Sequence, residues 1–185
     1  MSAAESRVSD MAPGQRIRHA NRVRDEQRAF ASMIEPLFEP LLRYFARRTS
    51  PREDSYDCLS DTLLVMWRRR GSAPTHPEEF RAWAYGVARL TLSNHMRSQR
   101  RRARLLEKSR NDAELEVTVG ADLSEVAATA MAALSAKDRE LVRLIVWDGL
   151  GVAEAGQVLG FKAATARTRY SRARERLRHT LGESA

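Results

Sequence analysis

The sequence predicts an all-α protein with two small helical domains joined by a flexible acidic linker. Only nine glycines and six prolines interrupt its 185 residues, and the dominant Leu, Ala, Arg and Glu favour helices over strands. Large apolar residues recur every three or four positions over long segments, as a buried helix face requires. These patterns predict a mobile tail over 1–25, a first domain over 26–104, a linker over 105–125 and a second domain over 126–182.

The first helix is predicted to follow a tail with too few large apolar side chains to offset the entropy lost on ordering. From Ala29 to Phe45 the apolar residues keep a helical period. Because proline disrupts the backbone hydrogen bonds of a helix, Pro36 and Pro40 should kink or split this segment.

A second helix is predicted from about residue 52 to residue 69. Ser50 is placed as its N-cap, Pro51 at the first helical position and Glu53 where a capping box needs an acidic side chain. The stretch GSAPTHP at 71–77 is predicted to be a loop because of its glycine and two prolines. A third long helix follows and ends in arginines.

The chain carries 32 Lys and Arg against 24 Asp and Glu, a formal charge of +8, which is typical of a protein that meets a polyanion. Residues 95–110 hold seven basic residues and one acidic residue, an excess of six, whereas residues 111–126 hold five acidic and no basic ones. No long apolar run or secretory signal is present, so we expect a cytoplasmic protein without membrane insertion. Cys58 is the only cysteine, which excludes an internal disulfide and zinc sites built on paired cysteines.

Residues 138–178 follow the pattern of a helix-turn-helix, with a short helix at 152–159, a turn at Gly160 and a final basic helix. Such a helix fits the major groove, where arginine donates to guanine and other cations contact phosphates. The alternative is a solvated surface whose cations are balanced by Glu175 and nearby acidic residues. This alternative is weaker because the one acidic residue of the final helix cannot neutralise the seven basic residues there. The predicted DNA-reading residues are Lys162, Thr165, Arg167, Thr168, Arg169, Ser171 and Arg172.

The second helix carries an acidic stripe of Asp54, Asp57 and Asp61 beside an apolar one, which suits a basic helical partner. A solvated surface near the helix N-terminus explains the same spacing equally well. The third helix mixes aromatic and cationic side chains, as single-stranded nucleic acid requires for stacking and phosphate contact. Trp83 also fits a core position, whereas Tyr85 and Arg81 are less easily buried. The predicted nucleic-acid residues here are Arg81, Trp83, Tyr85, Arg89, Asn94, His95 and Arg97.

No catalytic or metal-binding pattern is found: the four histidines are scattered, and neither a phosphate-binding loop nor a nucleophile elbow is present. We therefore predict that the protein is not an enzyme and needs no cofactor or metal.

The chain resembles the extracytoplasmic-function (ECF) sigma factors of bacterial RNA polymerase over nearly all of residues 30–181. Three segments carry the resemblance in this order: LLRYFARRTSPREDSYDCLSDTLLVMWRR, PEEFRAWAYGVARLTLSNHMRSQRRR, and LSAKDRELVRLIVWDGLGVAEAGQVLG with TARTRYSRARERL. The resemblance implies a transcription initiation factor that supplies promoter-reading surfaces to polymerase.

The family implies a region-two domain that binds the clamp helices of the largest polymerase subunit and melts the minus-ten element. It implies a region-four domain that reads the minus-thirty-five element and touches the flap, with the linker running towards the active-site and RNA-exit channels. Asn94 would border the pocket of a flipped base. Promoter DNA and an anti-sigma factor are the further expected partners. Core binding would fall to Asp54, Asp57, Asp61, Thr62, Met66 and Trp67.

Several residues depart from the family pattern. Ser60, Leu63 and Leu90 replace common Gln, Phe and Asn. Residues smaller or less helix-favouring than usual stand in the helix-turn-helix, and each should cost about 1 kcal/mol; they are Ala155, Gly156 and Ala166. We therefore expect a loosely packed second domain that orders fully only on a partner, and weak DNA binding without core polymerase.

Two other functions fit parts of the sequence. A helix-turn-helix regulator with a sensing N-terminal half would leave the arginine-rich third helix unexplained. An inhibitor-like module would hold polymerase without initiating. Pull-down of core polymerase and run-off transcription separate these alternatives.

Overall fold

The computed structural model describes residues 13–107 and 125–182. All regular elements in these two ranges are helical, which confirms the all-α prediction. None of the described helices is both long and apolar enough to cross a membrane. The chain divides into two compact units, residues 1–38 and 39–185. The helices are α1 Pro13–Ile34, α2 Phe38–Ala46, α3 Glu53–Arg68, α4 Pro77–Glu107, α5 Glu125–Ala132, α6 Ala136–Val146, α7 Val152–Val158 and α8 Ala163–Gly182.

Residues 13–25, which the sequence places in a mobile tail, form the first half of helix α1, and the mobility of the tail stays a prediction. Residues 1–12 lie outside the described residues. A helix needs only local backbone hydrogen bonds, and a sequence rich in Arg and Ala favours it without a large apolar core. An i,i+4 ion pair between Arg22 and Glu26 at 3.8 Å adds a small local stabilisation.

The predicted split is confirmed at Pro36, whereas Pro40 lies in the first turn of α2, where a proline does not interrupt the helix. Helix α1 ends at Ile34, and a 3₁₀ turn over Glu35–Leu37, which contains Pro36, separates it from α2.

The predicted span of the second helix is confirmed, but its predicted cap is wrong. Helix α3 has Arg52 at the N-cap position and no side-chain cap. The carbonyl oxygens of Pro51 and Arg52 instead accept from the backbone N–H groups of Asp54 and Ser55 at 3.2 and 3.1 Å. Since the turn itself satisfies these first donors, the helix starts later than a cap at Ser50 would place it.

Helices α2, α3 and α4 bury large side chains from all three elements, including Leu41, Phe45, Met66 and Phe80. The ring of Tyr44 packs edge-on against those of Phe45 and Tyr85, with centroids 5.2 and 5.5 Å apart. Burying each such side chain contributes about 1.5–3 kcal/mol. This core fixes the direction of α4, whose C-terminal half extends beyond it.

The helix-turn-helix prediction agrees with α7, a turn at Gly160 and α8. Gly149 and Gly160 have φ angles of 67° and 74°, the left-handed conformation that glycine adopts most easily. Helices α5, α6 and α8 enclose a core against which Trp147, Tyr170 and Leu177 pack; its buried residues are Met131, Leu134, Val142 and Ala173.

The small residues of the helix-turn-helix do not loosen its packing, so this reason for expecting a loosely packed second domain is wrong. Ala155 and Ala166 are fully buried, and a Cβ added to Gly156 would lie 2.6 Å from the Cβ of Ala166. Small residues here let α7 and α8 approach closely, so they leave no unfilled space at this contact. It stays a prediction that the second domain orders fully only on a partner.

Candidate nucleic-acid and partner interfaces

Helix α8 presents most of the predicted DNA-reading residues to solvent. Its inner face is formed by small and apolar residues such as Ala166 and Ala173, which are buried. The opposite face therefore carries accessible cations and hydroxyl groups that can contact phosphates and base edges. The exposed predicted residues are Lys162, Thr165, Arg167, Thr168, Ser171 and Arg172.

Arg169 is the exception. Its Nε lies 2.8 Å from Oδ1 of Asp138, and its guanidinium carbon lies 4.9 Å from the centroid of the Phe161 ring. Only 33% of its side chain is exposed. In this arrangement Arg169 attaches α8 to the start of α6, because its position borders the inner face of the helix.

The outer face of α3 combines acidic and apolar groups. Asp57 and Asp61 are exposed, and so are Tyr56, Leu64 and Trp67, with 49%, 45% and 38% of their surface accessible. Neighbouring exposed apolar groups of this size are typical of a protein-binding surface. Tyr56 and Leu64 were missed from the sequence, although they lie two helical turns apart beside the acidic stripe.

Three other residues predicted to bind the polymerase core do not lie on this outer face of α3. Thr62 and Met66 are fully buried, and the Thr62 hydroxyl donates to the carbonyl of Cys58 at 2.7 Å. Oδ2 of Asp54 lies 3.2 Å from Nε2 of His95 and accepts from Gln99 at 3.1 Å. Thr62 and Met66 therefore support α3 from inside, while Asp54 and His95 attach it to α4.

The aromatic residues of α4 are largely taken up by packing. Trp83 is half-buried, with its ring centroid 5.4 Å from that of Phe80. Tyr85 is 1% exposed, so the expectation that it would be less easily buried than Trp83 is wrong. Its ring fills the space beside Tyr44, and burial raises its pKa to about 12. A base cannot stack on Tyr85 in this arrangement.

The C-terminal half of α4 is the accessible cationic part of the helix. Asn94 and Arg97 are exposed there, whereas Arg89 is half-buried. A groove of about 410 Å³ runs along this part of the helix and is lined by Asn94, Arg97, Arg100, Arg101 and Arg104. The last three residues were not among the predicted site residues, although the basic run that contains them was recognised. No group of side chains in the described parts of the chain could hold a metal ion.

Two arginines after α2 bind the turn that joins α6 and α7, about one hundred positions later in the chain. Arg47 donates from both terminal nitrogens to the carbonyl of Trp147 at 3.2 Å. Arg48 forms an ion pair with Asp148 at 2.8 Å, with 4% and 0% of the two side chains exposed. Its Nε also donates to Glu140 at 3.2 Å.

The electrostatics of this contact follow from burial and pairing. Burial alone lowers the pKa of Arg48, but Glu140, Tyr44 and Asp148 outweigh it and raise that pKa. Burial raises the pKa of Asp148, and Arg48 opposes the shift. A buried pair of this kind is strongly destabilised when one partner alone is removed.

Arg81, predicted to meet DNA, contacts the same turn region. It donates to the carbonyl of Gly149, and its Nε lies 3.3 Å from Oε1 of Glu154. Oε2 of Glu154 also accepts from the backbone N–H of Gly151 at 2.5 Å. All of these residues lie in the unit 39–185, but they come from the two domains that the sequence predicts, so we call the set the interdomain clasp: Arg47, Arg48 and Arg81 on one side, and Glu140, Asp148 and Glu154 on the other. No local spacing could have revealed it.

Comparison with known proteins shows the family. Residues 37–102 match Sigma-70 region 2, and residues 124–177 match Sigma-70, region 4. The ECF RNA polymerase sigma factor SigF of Caulobacter vibrioides (strain NA1000 / CB15N) is 31% identical over 147 residues, which cover 77% of this chain and 82% of that protein. The chain belongs to the ECF sigma factor family.

Other proteins similar to this sigma factor are also sigma factors. The ECF RNA polymerase sigma factor BldN of Streptomyces coelicolor is 28% identical over 170 residues, which cover 86% of this chain but 63% of BldN. The chain thus spans less than two thirds of that relative. The sigma factor RpoE from Bartonella quintana, solved in complex with the anti-sigma factor NepR, has a similar fold, with a TM-score of 0.59 and 23% identity over 83% of this chain and 96% of that one.

Proposed function

We propose that this sigma factor binds the RNA polymerase core and directs promoter-specific transcription initiation. Helix α8 reads the minus-thirty-five element. The minus-ten element is read and melted by the C-terminal half of α4 together with the loop between α3 and α4. The observation that carries this proposal is that each of the two sigma regions exposes its own cationic helical surface. A factor that reads two promoter elements needs two such surfaces in one chain.

The outer face of α3 is the proposed binding site for the polymerase clamp helices. Its acidic residues, Asp57 and Asp61, suit a basic partner, and the exposed rings of Tyr56 and Trp67 supply apolar contact. The region-four domain also contacts the polymerase flap. The linker, proposed to enter the polymerase channels, lies mostly outside the described residues.

The interdomain clasp supports the prediction that the free protein binds DNA weakly, because Arg81 is held by Glu154 and Gly149. An anti-sigma factor is a further proposed partner, in line with the complex solved for the structurally similar RpoE. The protein works as a transcription factor without catalytic activity of its own, in the cytoplasm where polymerase acts.

Reconstitution with purified core polymerase tests the proposal. We expect the protein to co-purify with core and to produce defined transcript 5′ ends on genomic templates. Asp61→Arg should weaken core association, whereas Asp25→Arg makes the same charge change on an exposed residue of α1 and should not. Failure to associate with core at low salt would sink the proposal, and promoter binding that needs no polymerase would favour a regulator.

A further inference from the structure

We infer that Arg70 is a positioning residue for polymerase binding, because it holds the Trp67 ring on the outer face of α3. The inference rests on the proposed role of that face as the binding site for the polymerase clamp helices. It adds the residue that orders this surface before the polymerase binds.

Arg70 makes two contacts with the same residue. Its guanidinium carbon lies 4.3 Å from the centroid of the Trp67 ring, and its Nη1 donates to the carbonyl oxygen of Trp67 at 2.9 Å. A cation at this distance over an indole is attracted by the negative face of the ring. The carbonyl group belongs to the last turn of α3, where backbone acceptors lack partners within the helix. The two contacts therefore join Arg70 to both the backbone and the ring of Trp67.

The backbone after α3 places Arg70 where both contacts can form. A 3₁₀ turn over Arg70–Ser72 follows the helix. The backbone N–H and the hydroxyl group of Ser72 both donate to the carbonyl of Arg69, at 2.9 and 3.0 Å. The backbone N–H of Ala73 donates to the carbonyl of Arg70 at 3.2 Å. Because these bonds fix the backbone of Arg70, its side chain loses less freedom on contacting the ring than it would from an open loop.

The ring that Arg70 holds stays accessible to a partner. Trp67 keeps 38% of its surface exposed and lies one helical turn from Leu64, which is 45% exposed. Tryptophan is among the side chains that contribute most to binding at protein interfaces. Ordering a freely rotating side chain on binding costs free energy. Since Arg70 already restrains the ring, it removes part of that cost before the polymerase binds.

The affinity of the full chain for purified core polymerase tests the inference. We expect Arg70→Ala to raise the Kd about two- to fivefold, the factor that corresponds to an exposed cation–π contact. Trp67→Ala should raise it about tenfold or more. Adding Arg70→Ala to Trp67→Ala should raise the Kd no further, because Arg70 acts through the ring. An equally large effect of Arg70→Ala in both backgrounds overturns the inference, and so does a Trp67→Ala variant that binds like the wild type.

Fluorine NMR of the free protein labelled with fluorotryptophan measures the restraint itself. The chain has three tryptophans, and Trp67→Phe identifies the signal of Trp67. Arg70→Ala should shift that signal and leave those of Trp83 and Trp147 in place. A Trp67 signal that Arg70→Ala does not change would show that the ring is not held by Arg70, which overturns the inference.

Arg69→Ala is the matched control, because Arg69 carries the same charge and is also exposed. Of these two neighbouring arginines, Arg70 is the one that contacts a ring in the described part of the chain. Arg69→Ala should leave the Kd and the fluorine signals unchanged. Equal rises in Kd for Arg69→Ala and Arg70→Ala would reflect charge alone and overturn the inference.

Two further results separate the inference from the proposed function. An Arg70→Ala variant that binds core with wild-type affinity but initiates poorly would assign Arg70 to promoter DNA. That result overturns the inference and leaves the proposed function intact. A wild-type protein that does not bind core contradicts the proposed function itself.

Discussion

The backbone of Gly156 in α7 lies directly against the methyl group of Ala166 in α8. A Cβ on Gly156 would be 2.6 Å from the Cβ of Ala166 and 3.5 Å from the carbonyl oxygen of Phe161. Since α8 carries the predicted DNA-reading residues, this contact sets the direction in which they are presented.

Gly156→Ala should destabilise the protein by about 1–3 kcal/mol, because overpacking forces the two helices apart. Urea unfolding measures the change. Gly86→Ala is the matched control, since Gly86 lies inside α4 with nothing within 4 Å of an added Cβ and should gain about 0.5–1 kcal/mol. Equal stabilisation by both substitutions would contradict the close approach.

Asp148→Asn should weaken the interdomain clasp, because Arg48 would keep its buried charge while losing its 2.8 Å partner. Breaking a buried pair costs about 3–5 kcal/mol, and the remaining contact with Glu140 places the expected loss at the lower end. The free energy of unfolding in urea measures it, and small-angle scattering should show a larger particle.

Glu39→Gln controls for the loss of charge alone. The Glu39–Arg43 pair is exposed, so its removal should cost about 0–1 kcal/mol. A loss no larger for Asp148→Asn than for Glu39→Gln would show that the clasp does not stabilise the fold.

Arg172→Ala and Arg169→Ala should differ in what they change. Arg172 is exposed on the outer face of α8, so its loss should weaken promoter binding by the holoenzyme by roughly 1–3 kcal/mol without altering core binding. Arg169 is paired with Asp138, so its loss should instead lower the melting temperature. Titration of promoter DNA and thermal unfolding measure the two effects, and a reversed pattern would show that α8 is turned differently.

Tyr85 should make stability fall at alkaline pH. A tyrosine in the unfolded chain loses its proton near the ordinary pKa of 10.0. In the folded protein Tyr85 keeps its proton longer, because burial raises its pKa to about 12. Unfolding therefore becomes easier as pH rises from about 10 to about 12, by about 2 kcal/mol for a shift of this size. Urea unfolding at several pH values measures the slope.

Tyr85→Phe should reduce that alkaline loss. Burial also raises the pKa of Tyr44, so part of the slope should remain in this variant. A slope identical to that of the wild type would mean that Tyr85 ionises as freely in the folded protein as in the unfolded chain.

Cys58 should resist alkylation in the folded protein. It is 1% exposed, and burial, followed by the nearby charges of Asp54, Asp61 and Asp57, raises its pKa to about 12. Because the thiolate is the reactive form, iodoacetamide at pH 8 should modify it only after unfolding in urea. Ser60→Cys in a Cys58→Ala background places a thiol on the exposed face of α3 and should react quickly. Rapid labelling of native Cys58 would contradict its burial.

Much of the candidate site could be predicted from the sequence because its signals are local. The positions of α3 and α8, and the exposure of residues such as Asp61 and Arg172, follow from helical period and charge. The predicted exposure is wrong where a residue borders two faces of a helix, as with Arg169. It is also wrong where a polar aromatic residue fills a core. The Tyr85 ring is buried against Tyr44, although its hydroxyl group made the residue look suited to the surface.

By itself the sequence determined an all-helical chain, the order of its two sigma regions and the faces on which cations gather, because each depends on residues a few positions apart. Only the tertiary structure decided that Arg48 meets Asp148, that Gly156 brings α7 onto α8, and which cations of α4 remain accessible. These contacts join residues far apart in the chain or depend on which face of a helix is covered. Their energies come from burial and pairing in three dimensions, which no spacing along the sequence encodes.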